Sequence, residues 1–351
     1  MPPAEHHTNP EETPMTAVAT DSTTIRALHA DDLPAVVALD AAIEGRSRRA
    51  YVERRLKAAR REPELHAQFA AVDAQGLVGY LLARVLHGEF GRSQTALRLE
   101  LVGRRSDARG HGVGRALLDA LIAWGTRHGV RELRTSELWR RTGMLHWFDE
   151  MGFSLAPVQI VDRAVDRGEF GAGSEGAVAL PEGEGPAGEI RFDPGTANDF
   201  ERLARDGADV RSMTKADLAE IVRIDRVITG RDRSSYIAQR LAEALDDASI
   251  RVSLAARMDG AIVGYLMARA DIGDFGRTEP VALIDTIGVD PDYAGRGVGR
   301  ALMSQLFANL DALRVERVET LVSLQQPDLA GFFLTHGFMP SQRLPFVRHI
   351  A

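Results

Sequence analysis

The chain repeats itself. Asp40-x4-Gly45-Arg46-x-Arg48-x2-Tyr51 returns as Asp225-x4-Gly230-Arg231-x-Arg233-x2-Tyr236. Gly79-Tyr80-Leu81 returns as Gly264-Tyr265-Leu266, Gly112-Val113-Gly114-Arg115-Ala116-Leu117 as Gly297-Val298-Gly299-Arg300-Ala301-Leu302, and Gly152-Phe153 as Gly337-Phe338. The offset is constant: 225−40, 264−79, 297−112 and 337−152 all equal 185. Chance similarity does not hold register over that span. A period this long exceeds that of solenoid repeats and implies two domain-sized copies, which suits 351 residues at roughly 150 residues per domain.

The division expected is a tail over 1–22, a first domain over 23–166, a linker over 167–207 and a second domain over 208–351. The tail, MPPAEHHTNPEETPM onward, is acidic and Pro-rich without an apolar core. It reads as disordered and not as a signal peptide, and Met15 is an alternative start. The linker segment GEFGAGSEGAVALPEGEGPAGE is rich in Gly, Ala and Glu, a composition that stays flexible. Its Ala172-Gly173-Ser174-Glu175-Gly176 falls short of a nucleophile elbow, because Ala172 replaces the first Gly and no strand precedes it.

Each copy carries the same element pattern. A short strand near Ile25 or Val210 precedes a helix opening at Asp31-Asp32-Leu33 or Lys215-Ala216-Asp217-Leu218. Apolar residues then recur at helical spacing (Leu33, Val36, Val37; Leu218, Ile221, Val222). A second helix carries Tyr51 and Leu56, or Tyr236 and Leu241. Strands over 68–72 and 252–256 turn at Gly76 and Gly260 into strands over 78–85 and 262–270. Strands over 97–102 and 282–289, a glycine-rich loop, an amphipathic helix, a strand and a last helix follow. The order β-α-α-β-β-β-α-β-α-β predicts an α/β (α+β) sandwich around a mostly antiparallel sheet.

Arg109-Gly110-His111-Gly112-Val113-Gly114-Arg115 and Ala294-Gly295-Arg296-Gly297-Val298-Gly299-Arg300 each join a strand to a helix. Glycines there turn backbone N–H groups toward a ligand, and the helix start adds orphan N–H groups and positive dipole. Such a segment is an anion cradle or a plain turn. A dinucleotide loop would need Gly where Leu117 and Leu302 stand, and a Walker loop needs an absent G-K-S/T.

The first loop matches the pattern Gln/Arg-x-x-Gly-x-Gly/Ala of the GNAT acyltransferases through Arg109, Gly112 and Gly114. The second resembles the form V-D-P-x-Y-x-G-x-G-x-G through Val289, Asp290, Pro291, Asp292, Tyr293, Gly295, Gly297 and Gly299. Phe148-x3-Gly152-Phe153 and Phe333-x3-Gly337-Phe338 look like the family's next motif. The resemblance covers nearly all of both copies. It implies two tandem GNAT-like domains that bind acetyl-CoA, with pyrophosphate on the loops and pantetheine along the preceding strand at Val102, or at Ile287 and Val289. An amine then attacks the thioester directly, which suits a chain with no cysteine.

Glu100 and Asp285 stand on those strands at matching positions (285−100 is 185), where the family often places a general base. Their other reading is an ion pair with arginine. Relatives often carry a Tyr acid where Phe148 and Phe333 stand, so Tyr51, Tyr236 or solvent would have to serve. Ala294 also departs from the loop pattern. Where the second copy reads Gly288-Val289-Asp290-Pro291, the first reads Gly103-Arg104-Arg105-Ser106. That charged strand end favours the second copy as the better catalyst.

In the family the segment between the first two helices lines the acceptor site. Arg46, Arg48 and Tyr51, with Arg231, Arg233 and Tyr236, are therefore expected to read an acidic group on the acceptor, or else to pair with Asp40 and Asp225. Arg92 and Arg277 read as turn residues. The formal charge of −7 gives no global footprint for nucleic acid. No apolar run spans a bilayer, so no membrane partner is expected, and the absence of cysteine fits a reducing cytosol, so a cytoplasmic location is expected. The histidines lack ligand spacing, so no metal is expected. The resemblance points to an N-acetyltransferase acting on a primary amine of a small molecule, peptide or protein. The alternative is a non-catalytic acyl-CoA-binding sensor or interaction module with one or both domains degenerate.

Overall fold

A computed structural model describes residues 23–86, 95–165, 207–246, 251–271 and 281–350. The expected tail, nearly all of the linker, Arg92 and Arg277 lie outside them.

The first copy opens with β1 (Thr24–Ala27), α1 (Leu33–Glu44) and α2 (Arg49–Arg61). It continues with β2 (His66–Asp73), β3 (Gly76–Leu86), β4 (Ala96–Arg104), α3 (Val113–Arg127) and β5 (Glu132–Leu138). It ends with α4 (Thr142–Glu150), β6 (Ser154–Leu155) and β7 (Val158–Ala164). The second copy repeats the plan. Its elements are β8 (Asp209–Ser212), α5 (Leu218–Thr229), α6 (Ser234–Asp246), β9 (Arg251–Met258) and β10 (Ala261–Asp271). There follow β11 (Val281–Val289), α7 (Val298–Ala312), β12 (Arg317–Ser323), α8 (Pro327–Thr335), β13 (Met339–Pro340) and β14 (Arg343–His349).

The described residues form two seven-stranded sheets, and each is completed by the other copy. The orders are β1-β2-β3-β4-β5-β14-β6 and β13-β7-β12-β11-β10-β9-β8. Strand β14 runs antiparallel to β5 from Arg343↔Leu138 to His349↔Glu132. Strand β7 runs antiparallel to β12 from Val158↔Ser323 to Ala164↔Arg317. The repeat divides the sequence near 166 and 208, but the sheets do not follow that division. The last strand of each copy leaves its own sheet.

The exchange is reciprocal in side chains too. Phe346 packs 5.0 Å from Phe148 and joins the first copy's α3-side core, while Val161 and Val165 join the second copy's. Arg163 on β7 donates to the carbonyl of His336, just past α8, at 2.9 Å. Its counterpart Arg348 on β14 donates to the carbonyl of Met151, just past α4. Each exchanged strand thus caps the other copy's last helix at the end where carbonyls are left over.

One apolar layer lies between each sheet and its long helix (α3 or α7), and another under the first two helices. Under α1, buried Asp40 accepts from Arg48 Nε at 2.8 Å and from the Tyr80 hydroxyl. Under α5, Asp225 accepts from Arg233 Nη1 at 2.7 Å and from the Tyr265 hydroxyl. Burial, then the neighbouring aspartate, pushes both phenols above the ordinary tyrosine range. A buried charge needs such partners.

Candidate functional site

Each glycine loop delivers the chain to a helix start. Gly110 and Gly112 have φ of 83° and 75°; Gly295 and Gly297 have 74° and 81°. No neighbour lies within 4 Å of a Cβ added at any of the four. Left-handed backbone, not space, is what demands glycine there. The first helical bond of α3 runs from Ala116 N–H to Gly112 at 2.9 Å, and that of α7 from Ala301 N–H to Gly297 at 2.9 Å. The amides ahead of them are the helix's orphan donors, a place for an anion.

The remaining loop residues divide in two. Arg109, His111 and Arg115, with Ala294 and Arg296, are exposed; Val113 and Val298 are buried in the core. Arg300 is half-buried. A Cβ on Gly114 would come within 3.0 Å of the Trp147 indole, and one on Gly299 within 2.8 Å of the Phe332 ring. Those glycines let the loop's helix press against the last helix.

The sheet opens beside each cradle. Parallel pairing of β4 with β5 ends at Arg98↔Arg134, although β4 continues to Arg104. Pairing of β11 with β12 ends at Leu283↔Glu319. At the fork a threonine hydroxyl replaces the ladder: Thr135 donates to the carbonyl of Leu99 at 3.1 Å, and Thr320 to that of Ile284 at 3.2 Å. In the first copy the opening is a cleft of about 470 Å³ running to the loop, with Val102, Arg104, Ser106, Arg109, Gly114 and Trp147 in its walls. The guanidiniums of Arg104 and Arg109 make it cationic. An adjoining pocket of about 380 Å³ shares Ile43, Val102, Gly143 and Met144 and adds Glu44, Arg48, Arg140 and Arg141. In the second copy Ile287 and Val289 are half-buried at the matching strand end. There Arg223 binds Asp290 at 2.8 Å and holds its carboxyl below the ordinary range.

Both strand carboxylates sit at β-bulges, which re-aim side chains near functional openings. Leu82↔Leu101 is followed by Ala83↔Leu99, leaving Glu100 extra; Met267↔Thr286 is followed by Ala268↔Ile284, leaving Asp285 extra. Their surroundings differ. Glu100 is buried between Arg84 Nε at 2.7 Å and Arg55 Nη2 at 2.9 Å. Asp285 is one methylene shorter, and Arg269 stands 3.7 Å from its Oδ1. Arg240, the counterpart of Arg55, pairs with Glu243 at 3.1 Å. Asp285 Oδ1 is buried without a hydrogen bond among the described residues. It lines a cavity of about 80 Å³ whose far wall is Leu86, Arg98, Arg134 and Ser136 of the first copy.

The expected acceptor arginines separate. Arg48 and Arg233 are buried in the aspartate–tyrosine clusters, and Arg48 reaches the pocket wall only from within its ion pair. Tyr51 and Tyr236 are buried at 2% and 4% exposure, so neither hydroxyl faces solvent. Arg46 and Arg231 are exposed. A buried carboxylate must be paired, which accounts for Arg48 and Arg233, while Tyr51 and Tyr236 pack in the apolar layers under the first two helices. Glu44, Arg140 and Arg141 were not singled out from sequence, and Arg104 was named there only as part of a charged strand end. The one signal for them was the internal comparison: their counterparts are Thr229, Val289, Gln325 and Gln326. Phe148 and Phe333 are fully buried. Among the described residues no His, Cys, Asp or Glu cluster could hold a metal, and no helix is long and apolar enough to cross a membrane.

A forked sheet, a glycine cradle at a helix start and a cleft between them, built twice, define an acyltransferase fold of one kind. The acetyltransferase (GNAT) family model matches residues 25–153 and 217–338, and the chain belongs to that family. It is 31% identical over 233 residues to a mycothiol acetyltransferase of Clavibacter sepedonicus, covering 66% of this chain and 63% of that protein. It is 50% identical over 52 residues to the N-alpha-acetyltransferase RimI of Mycobacterium tuberculosis, covering 14% of this chain and 30% of that one. The chain thus matches less than two thirds of the length of either relative. A tandem GNAT protein from the clavulanic acid biosynthesis pathway superposes with a TM-score of 0.61 at 16% identity, over 94% of this chain and 99% of that one. At that identity the likeness establishes the tandem fold alone.

Proposed function

We propose that the protein moves an acetyl group from acetyl-CoA to a primary amine by direct transfer. The observation that carries this reading is the cationic cleft of about 470 Å³ that runs from the fork in the first sheet to the glycine cradle and opens on a second, charged pocket. The amides ahead of Ala116 and the guanidiniums of Arg104 and Arg109 hold the pyrophosphate. The fork admits pantetheine along Val102, and the adjoining pocket admits the amine. Amides at the start of α7 make the same cradle in the second copy, with Ile287 and Val289 beside it. There Asp285 is the proposed base, since Arg269 stands as far as 3.7 Å from its Oδ1 and the residue borders a cavity.

The second reading, an acyl-CoA sensor, draws support from the clamped Glu100 and from Phe148 and Phe333, which bring no hydroxyl. Thiol release from acetyl-CoA, measured with a panel of primary amines, separates the two. The transferase reading expects release that depends on the amine and an acetylated product. Tight acetyl-CoA binding with no amine accelerating release would leave the sensor.

A further inference from the structure

Four charged residues run inward from the first copy's second pocket. Glu44, in the pocket wall, binds Arg141 through two bonds of 2.6 and 3.1 Å. Arg141 Nη1 lies 3.7 Å from Oε2 of Glu137 on β5. Glu137 is fully buried, accepts from the Leu138 amide at 2.7 Å, and among the described residues has no hydrogen bond to its Oε2. Arg343 lies 3.9 Å from its other oxygen and donates to the carbonyl of Ser136 at 2.9 Å. Arg343 belongs to β14, the strand brought in from the second copy.

The counterparts of Glu44, Arg141, Glu137 and Arg343 are Thr229, Gln326, Val322 and Val158. All four charges are missing together, yet the second sheet closes in the same register. The fold therefore does not need them. Replacing a buried ion network by apolar residues is often neutral or stabilising, so stability is a poor reason for the chain of charges. It ends on the one carboxylate among the described residues that line this pocket, whose wall also holds Ile43, Leu101, Val102 and Met144 beside Arg48, Arg140 and Arg141. Among those residues it is the group with the charge to attract an ammonium.

We propose that Glu44 receives the acceptor's ammonium in the first copy, and that Arg343 is a positioning residue supplied by the second copy's last strand. The inference rests on the transferase reading. Glu44 takes one proton from the ammonium, and the freed lone pair attacks the thioester carbon. The C–S bond then breaks, and a second nitrogen proton leaves with the thiolate. Arg141 fixes the carboxylate, and Glu137 and Arg343 fix Arg141. Arg48 lies 3.9 Å from Glu44, and Arg140 lines the same pocket. Burial pushes the Glu137 carboxyl up, and Arg343 is the strongest influence pulling it back.

The test uses the full chain with Asp285→Asn as the parent, so that the second copy's proposed base does not mask the first, and butylamine, 1,4-diaminobutane, lysine and an alanine-initiated peptide as acceptors. Glu44→Gln should lower kcat/KM for the amine about 10²–10⁴-fold at unchanged acetyl-CoA affinity. Glu44→Thr, which installs the second copy's residue, guards against misfolding. Arg343→Val should raise the amine KM about ten-fold, the order expected of a charged hydrogen bond, and Arg343→Lys should recover part of it. Turnover equal to the parent's in both Glu44 variants overturns the inference and leaves the transferase reading standing. If no amine is acetylated, calorimetry of amine binding to the CoA complex decides. Binding that Glu44→Gln does not weaken overturns the inference, and no binding by wild type overturns it together with the transferase reading.

Discussion

The first copy surrounds its cleft with charge, and the second builds the same backbone with neutral residues. Arg104, Arg109, Glu44, Arg141 and Glu137 face Val289, Ala294, Thr229, Gln326 and Val322 at matching positions. Both copies instead keep Asp40–Arg48–Tyr80 and Asp225–Arg233–Tyr265, and both bury them. What two copies in one chain share is thus largely what the fold requires. What separates them lies at the openings. The strand carboxylates follow this division: Glu100 has two arginines at 2.7 and 2.9 Å, while Asp285 has Arg269 at 3.7 Å and borders a cavity.

The largest effect should come from breaking the exchange. Deleting residues 343–351 removes β14, which lies between β5 and β6. The deletion should unfold the first copy although the lost residues belong to the second. Near-ultraviolet circular dichroism and one-dimensional NMR read this; native-like dispersion for the first copy's core would show that the exchanged strand is dispensable.

The strand carboxylates should then part company. Asp285→Asn is expected to cost about 10²–10⁴-fold in the rate of the second copy with little change in stability. Glu100→Gln should instead cost about 3–5 kcal/mol of stability, as when a buried ion pair loses one partner. Urea unfolding beside steady-state kinetics distinguishes them, and a Glu100 variant that is stable but inactive would reverse the assignment.

A sharper contrast lies within one segment. Arg233→Ala removes the partner of buried Asp225 and should destabilise by about 3–5 kcal/mol. Arg231→Ala, two residues away and exposed, should change stability by no more than about 0.5 kcal/mol. A rise in amine KM from Arg231→Ala alone would restore that arginine to the acceptor site.

Much of this was legible in the sequence. The constant offset revealed the two copies, hydrophobic periodicity gave their elements, and the glycines gave the cradles, because each is a local property of the chain. The exchange was not legible. Val158–Ala164 and Arg343–His349 are copies of one strand, and nothing local says which copy's fifth strand each should pair with. Retention in both copies did not by itself separate the two readings of the arginine segment; the structure pairs Arg48 and Arg233 with the buried aspartates and leaves Arg46 and Arg231 exposed. Glu137 stood in Ser136-Glu137-Leu138 without a motif, and its meaning emerged only beside Arg343, 206 residues later (343−137).

The smallest expected effect concerns pH. Burial lowers the pKa of His66 in the first copy and of His336 in the second. The unfolded chain binds a proton near the ordinary value of about 6.5, while the folded chain resists it. Stability should therefore be fully present above that pH and fall as pH drops toward the folded values. Urea midpoints between pH 7 and 5 should show this slope, reduced in His336→Phe; a midpoint that rises on acidification would contradict it.

The central claim is that one chain carries two acyl-CoA cradles on a shared, strand-exchanged frame. Titration calorimetry of acetyl-CoA into wild type, Gly112→Val and Gly297→Val tests it most directly. Each valine meets no neighbour but must adopt a left-handed backbone. The account predicts two binding events in wild type and the loss of a different one in each variant. Unchanged binding in both variants would show that the glycine loops are ordinary turns.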